Sequence, residues 1–491
     1  MSAAETIPDL LHSQASELGI KPFMQVWGAG EGVVLTLSFA EFARRVLVAQ
    51  HSLTATGHIA AGDHVAMLSH PTVQYFVHAI ALICNGSVCV NLNWRMPASG
   101  LSATIQVSAS TVVVSSGRFA TEARYLAGGQ RALPLLWLNA PPGAAATTDV
   151  VLPALDGPSI PAHLSAALPT SRSSPSSATA VIMFTSGSTA TPKAVPLTHR
   201  GLLWNCRQRL RMQGEAFAEP NAGTLSLLPN FHVIGFTNNF LFNLLAGVRC
   251  VVQLNAGSVA LTAQLMMEAC ACTRPTVLDT VPWLVEELLA ELEDKEEEHR
   301  DGSCLSRLHF ILAGGCALSE ELLLPKLARH GVTLWPHYGQ TELGGPALIG
   351  GLAGSLGAMR PLPGVQFELI GEDGRAADQG ELVLLGMQCA TAGYLAGSNG
   401  RTLSGEAAST AERFYTGDVF RRIEAPDGSG SWLEHICRQV GSGRDLGGIW
   451  DESGRDMGRI WEGYGQDMGK IWAGYGQDMG KIWAGYGQDM G

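Results

Sequence analysis

From Phe39 to Val114 helical segments alternate with short apolar runs: FAEFARRVLVAQHSL precedes HVAML, VQYFVHAIALICNG precedes SVCVNLN, and TVVVS closes the stretch. Helix and strand taking turns at this spacing predict βαβ units and a mainly parallel sheet, because parallel neighbours need a crossover long enough to hold a helix. The alternation resumes at Val181 and continues to about Trp432 through VIMFTS, TLSLL, VRCVVQL, PTVLDTV, RLHFILAGG, VTLWPHYG and ELVLLG. Between Pro134 and Thr179 the composition shifts to Pro, Ala, Ser and Thr, which reads as a long surface connection. At 491 residues the chain exceeds one ordinary core, so an α/β assembly of several subdomains is expected.

Charge narrows the partners. The net charge is −12, and the one dense run, Glu291 to Arg300, follows the apolar-periodic stretch Trp283 to Leu292, as a solvated helix end would. Nothing basic is concentrated enough to favour nucleic acid. The ten cysteines are scattered without a C-x-x-C spacing, and the pair Cys270 and Cys272 falls in a helical pattern. Reduced thiols and a cytoplasmic protein are expected. The opening MSAAETIPDLLHSQASELG lacks the apolar stretch of a secretory signal. No run reaches the roughly 18 apolar residues of a membrane span.

Past Gly443 the chain falls into an eleven-residue repeat, of which GQDMGKIWAGY is the clearest unit. A helix would align Met457, Ile460, Trp461 and Tyr464 on one stripe. Gly458, Gly463 and Gly465 would each cost about 1 kcal/mol inside such a helix. The expected division is a large domain over 1–440 and a low-complexity tail over 441–491, with an association module as the alternative for the tail.

The segment Thr185-Ser186-Gly187-Ser188-Thr189-Ala190-Thr191-Pro192-Lys193 follows a strand-like run. Hydroxyls, a glycine backbone and a lysine after a strand form a loop able to wrap phosphate oxygens with N–H and O–H donors. It is not a Walker A loop, since G-x-x-x-x-G-K-[ST] is absent. It resembles instead the [ST]-S-G-[ST]-T-G-x-P-K signature of the adenylate-forming superfamily, which includes the acyl-CoA synthetases. Further resemblances follow in family order: Leu228 to Gly235 (LPNFHVIG), Ala313-Gly314-Gly315, His337-Tyr338-Gly339-Gln340-Thr341-Glu342, Gly380-Glu381-Leu382 and Tyr415-Thr416-Gly417-Asp418.

The resemblance implies a large domain of parallel sheets flanked by helices, with a small β-rich subdomain. It implies ATP-dependent activation of a carboxylic acid as an acyl-adenylate, followed by transfer to CoA or a carrier-protein thiol. Thr185, Ser186, Gly187, Ser188, Thr189 and Lys193 are expected at the phosphates. Gly314, Gly315, His337, Tyr338 and Gly339 are expected at the adenine. Asp418 and Arg438 are expected at the ribose. His232, Thr341 and Glu342 are the catalytic candidates, with Glu342 as the Mg²⁺ ligand. An aromatic face suits adenine and a carboxylate oxygen suits Mg²⁺ bridging phosphates. His232 follows Phe231 where amino-acid-activating members usually carry Asp, which favours an acid without an α-amino group.

Three positions depart from the family pattern: Ala190 and Ala194 stand where glycine is usual, and Val440 occupies the hinge position two residues after Arg438. No segment resembles the family's C-terminal domain and its lysine. The chain is therefore expected to bind nucleotide better than it turns it over. A non-catalytic nucleotide-binding or scaffold protein is the alternative.

Overall fold

Short polar side chains start the early helices. Thr6 accepts from the Asp9 amide while the Asp9 carboxylate accepts from the Thr6 amide, opening α1 (Ile7–Leu18). Ser38 and Glu41 repeat this reciprocal cap at α2 (Phe39–Ala55). Thr72 caps α3 (Val73–Cys84) without the reciprocal carboxylate. In each case the cap sits immediately before the first core residue of the helix, so chemistry and hydrophobic pattern agree on its start.

The computed structural model describes residues 4–129, 132–141, 150–152, 174–185, 192–254, 262–296, 305–315, 320–351, 355–385, 393–396, 401–403, 413–424 and 431–438. Among these, strands form two sheets, one of nine strands and one of thirteen. The nine-stranded sheet is built on parallel strands His64–Leu68, Val88–Asn91, Val112–Ser115 and Thr179–Thr185. Antiparallel to the last lies Lys193–Thr198, and a hairpin of Tyr394–Ala396 and Arg401–Leu403 joins that strand.

The thirteen-stranded sheet has a parallel centre of Pro22–Gly28, Arg249–Gln253, Gly223–Leu225, Val277–Thr280, Phe310–Gly314 and Leu334–Gln340. It continues through antiparallel strands into Gln366–Ile370, Gln379–Leu385, Arg413–Glu424 and Ser431–Arg438. The expectation of parallel sheets thus holds for their centres and for one edge of the nine-stranded sheet, while the other flanks are antiparallel and the sheets are mixed. Antiparallel neighbours can be joined by tight turns and need no helix, so they leave no trace in a helix–strand alternation. The span read as a surface connection also contributes two short strands, Leu135–Trp137 and Val150–Val151, to the nine-stranded sheet.

Side chains alternate between the two faces of each strand, and the packing follows that period of two. Val112 and Val114 join one core with Phe310 and Leu312, while Val113 joins a second and Ile311 a third. The shared core holds α1, α2, α3 and the helix His199–Gln213, so these helices lie between the sheets. The outer face of the thirteen-stranded sheet is covered by helices Ala263–Thr273, Pro282–Glu296 and Glu320–His330. The outer face of the nine-stranded sheet is covered by Ala98–Val107 and Ala120–Ala127. The β-rich subdomain has its own core of Leu369, Leu382, Leu384, Phe414, Phe420 and Leu433.

The acidic run does fall at a helix end, since the helix reaches Glu296; residues 297–300 and the repeat over 441–491 lie outside the described residues. Among the described residues no helix is long and apolar enough to cross a membrane.

Four imidazoles are built into this interior as neutral groups. Burial holds His70, His78 and His199 at about 4 and His337 at about 3, against an ordinary 6.5. The His199 Nδ1 accepts a hydrogen bond from the Ile7 amide, which protonation of that nitrogen would abolish. A depressed folded-state pKa contributes stability that is present above 6.5 and lost as pH falls through the folded value. Asp279, raised to about 6, acts in the opposite sense, but as one carboxyl against four imidazoles. The midpoint of thermal unfolding is expected to fall steadily from about pH 6.5 to pH 4. A midpoint unchanged between pH 7 and pH 5 would contradict this.

Candidate active site

The strands deliver their ends to one region. Thr185, Gly314 and the segment His337 to Gln340 all stand at carboxyl ends of strands with a parallel neighbour, where open α/β sheets bind ligands. Gly314 pairs with His337 across the parallel strands, and a Cβ on Gly314 would lie 2.4 Å from the His337 carbonyl and 2.6 Å from its ring. Only glycine lets the ring lie there. Gly315 turns the chain out of the strand at φ +93°, a conformation that L side chains rarely adopt. Gly339 pairs with Pro346 on the next strand.

Tyr338 and Asp418, 80 residues apart, meet: the tyrosine hydroxyl donates to Asp418 Oδ2 at 2.6 Å. Gln340 Nε2 reaches the same oxygen at 2.7 Å and the Thr416 carbonyl at 2.7 Å. Asp418 is buried, and burial, then the negative charge of Asp418, pushes the Tyr338 hydroxyl well above the ordinary tyrosine range, so the phenol remains a donor. Asp418 stands within the strand Arg413–Glu424, at an irregularity of its pairing with Gln379–Leu385, and this stretch is anchored by the earlier G-E-L segment: Glu381 Oε1 accepts from the Gly417 amide at 2.9 Å, and the Thr416 hydroxyl donates to the Leu382 carbonyl at 2.8 Å. Burial, then the neighbouring Asp418, raises the Glu381 carboxyl, with the Gly417 bond opposing. Arg438 pairs with Asp418 across antiparallel strands, so its backbone stands at the ribose candidate. His435 on the same strand stacks on Tyr338, ring centroids 6.2 Å apart, and brings Nε2 to 4.0 Å from Asp418 Oδ1.

A second group lies one turn further on. Thr341 and Glu342 form a 3₁₀ turn directly after the strand that carries Tyr338. Glu342 is buried, and its Oε1 accepts from the Tyr394 hydroxyl at 2.7 Å. The Lys193 ammonium stands over the ring of the same tyrosine, 5.1 Å from its centroid. Thr185 pairs with Lys193 at the mouth of the phosphate-loop candidate. Ser186, Gly187, Ser188 and Thr189 lie outside the described residues, as does Ala190. Ala194 has a packing reason: it is fully buried in a regular strand, opposite Phe184 and Leu395.

The LPNFHVIG segment leads into a π-helix over Ile234–Leu241, a wide-turned form that recurs at functional sites. Its Asn230 accepts from the Trp94 indole at 3.2 Å, and Phe231 meets Trp94 edge to face. His232 reaches solvent, yet enough protein surrounds its ring that desolvation, then the Arg95 charge, lowers its pKa. It is therefore a neutral imidazole at pH 7.

Three positions had no role assigned from the sequence. Gln340 lies within a recognised segment, but at its variable position. Tyr394 offers only an aromatic beside a glycine, and His435 only a polar place on a strand; tertiary contact is what brings each to the site.

A family profile described as AMP-binding enzyme matches residues 2–395. The chain belongs to this family. Among curated relatives of this AMP-binding enzyme, the mitochondrial malonate–CoA ligase ACSF3 of Mus musculus is 29% identical over 322 residues, covering 63% of this chain and 51% of the relative. Feruloyl-CoA synthase of an Amycolatopsis species is 26% identical over 313 residues, covering 64% and 56%. The fatty acid–[acyl-carrier-protein] ligase ScoC of Streptomyces coeruleorubidus is 27% identical over 366 residues, covering 70% and 62%. The chain thus spans between 51% and 62% of the length of these relatives. The anthranilate CoA ligase AuaEII, solved with anthranoyl-AMP, has the same fold, with a TM-score of 0.71 at 17% identity over 89% of this chain and 79% of that one. The O-succinylbenzoate CoA synthetase of Bacillus subtilis, solved with ATP and magnesium, gives a TM-score of 0.66 at 18% identity over 87% and 79%.

Proposed function

We propose that this AMP-binding enzyme activates a carboxylic acid with ATP as an acyl-adenylate and passes the acyl group to CoA or a carrier-protein thiol. The observation that carries the reading is that one short segment reaches two polar groups: Tyr338 reaches Asp418, and Glu342, four positions later, reaches Tyr394 beneath Lys193. A nucleoside fits the first group and a phosphate chain the second.

In this reading Asp418 accepts from the ribose hydroxyls, with Arg438 beside it, and Gly314, Gly315, His337, Tyr338 and Gly339 form the adenine side. Thr185, Ser186, Gly187, Ser188, Thr189 and Lys193 surround the phosphates. Thr341 donates to the α-phosphate, and neutral His232 borders the space for the acid. No cluster of three or more His, Cys, Asp or Glu converges among the described residues. One buried carboxylate, Glu342, is nonetheless a fitting partner for Mg²⁺, which usually takes one or two carboxylates plus substrate phosphates and water. When bound, Mg²⁺ would offset the phosphate charge; the residues above orient the acid's oxygen for attack on the α-phosphate and exclude water from it.

A substrate without an α-amino group, a cytoplasmic location, a large domain over 1–440 and a tail over 441–491 outside the family domain complete the proposal. The relative named for an acyl-carrier-protein substrate supports a carrier as one possible thiol partner. The test is pyrophosphate release with a panel of aliphatic, aromatic and dicarboxylic acids. Release that requires one acid class is the expected result. ATP binding without release for any acid would support a non-catalytic nucleotide-binding protein instead.

A further inference from the structure

Tyr394 stands on the first strand of a hairpin, Tyr394–Ala396 with Arg401–Leu403, that joins the edge of the nine-stranded sheet. Its neighbour Leu395 pairs with Ala194 and is buried in the core beneath the outer helices. Alternation therefore turns Tyr394 to the opposite face. There it meets two groups from distant parts of the chain. Its hydroxyl donates to Glu342 Oε1 at 2.7 Å, and its ring lies 5.1 Å beneath the Lys193 ammonium.

We infer that Tyr394 is a positioning residue that couples the phosphate-side cation to the metal-side carboxylate. This rests on the proposed nucleotide site but goes beyond it, because no residue of the recognised motifs performs this coupling. A hydrogen bond to one oxygen orients a carboxylate that is otherwise free to rotate, leaving Oε2 to face a bridging cation. A cation held over a ring keeps its charge while losing some of its rotamer freedom. Lysine alone at an exposed position is mobile, and Lys193 is exposed. One ring thus fixes the spacing between a positive and a negative group that must face the same phosphates.

Two substitutions separate the two contacts. Tyr394→Phe keeps the ring under Lys193 and removes the bond to Glu342. Tyr394→Ala removes both. ATP binding is followed in the full chain by titration with a fluorescent ATP analogue over a series of Mg²⁺ concentrations, with thermal unfolding to verify folding. Tyr394→Phe is expected to raise the Mg²⁺ concentration for half-maximal binding by roughly tenfold and to leave Mg²⁺-free nucleotide affinity unchanged. Tyr394→Ala is expected to weaken Mg²⁺-free binding as well, and Lys193→Ala should then add little in that background. Wild-type Mg²⁺ dependence in Tyr394→Phe would overturn the inference. So would equal losses with and without Mg²⁺, which would mark a purely structural role. Should the wild-type chain bind no ATP under any condition, it is the nucleotide reading that fails.

Discussion

Asp418→Ala is expected to lower ATP affinity by roughly tenfold to a hundredfold, whereas Lys193→Ala lowers it only a few-fold. The carboxylate is buried, and its Oδ2 is already held by Tyr338 at 2.6 Å and Gln340 at 2.7 Å. It is therefore aimed before the nucleotide arrives, and a buried charged acceptor that needs no reorganisation contributes more than a solvent-screened cation. Lys193 is exposed, and solvent screens its attraction to phosphate. Because alanine also takes the acceptor from the Tyr338 hydroxyl and one of two carboxylate or carbonyl acceptors from the Gln340 amide, some loss of stability accompanies the loss of binding. Asp418→Asn keeps the side-chain volume and separates the two effects. Titration with labelled ATP decides the ranking; equal losses for Asp418→Ala and Lys193→Ala would refute it.

The largest expected effect on stability lies between the sheets. Arg209 of the helix His199–Gln213 is 1% exposed and Asp279 is fully buried, with 3.4 Å between Nη1 and Oδ2. Arg209 also donates to the Asn238 carbonyl and to Gln213, each at 2.8 Å, and its guanidinium lies 4.1 Å from the Phe242 ring centroid. Among the described residues Nη2 and both Asp279 oxygens make no well-aligned hydrogen bond, so the pair is held by charge more than by geometry. Arg209→Leu strands a buried carboxylate and is expected to cost about 3–5 kcal/mol in urea unfolding at pH 7.5. Burial already pushes Asp279 up to about 6, with the Arg209 charge acting against it, so losing Arg209 favours the protonated form further. The cost should shrink at pH 5, where Asp279 is neutral in the variant. Replacing both residues by apolar ones should recover most of the loss. A loss below 1 kcal/mol for the single variant, or one independent of pH, would show that the pair carries no such strain.

Local pattern carried much of this protein. The alternation from Phe39 to Val114 predicted strands that form at His64–Leu68, Val88–Asn91 and Val112–Ser115, because short continuous apolar runs and capped helices are specified within a few residues. Motif order marked Thr185, Gly314, Tyr338 and Glu342, which stand towards strand ends and on a 3₁₀ turn, and Asp418, which stands inside the strand Arg413–Glu424 rather than on a loop. What the sequence by itself could not determine depends on which surfaces meet. The antiparallel flanks of both sheets, the union of Tyr338 with Asp418, and the place of Tyr394 under Lys193 arise from pairings between segments tens to hundreds of residues apart. Arg209 stands in a helix whose charges resemble those of a solvated face, yet the helix is packed between two sheets and the guanidinium is buried. Propensity and periodicity act over a few residues, while strand register and layer packing select among distant partners, and the contacts that would give this site its chemistry belong to the second kind.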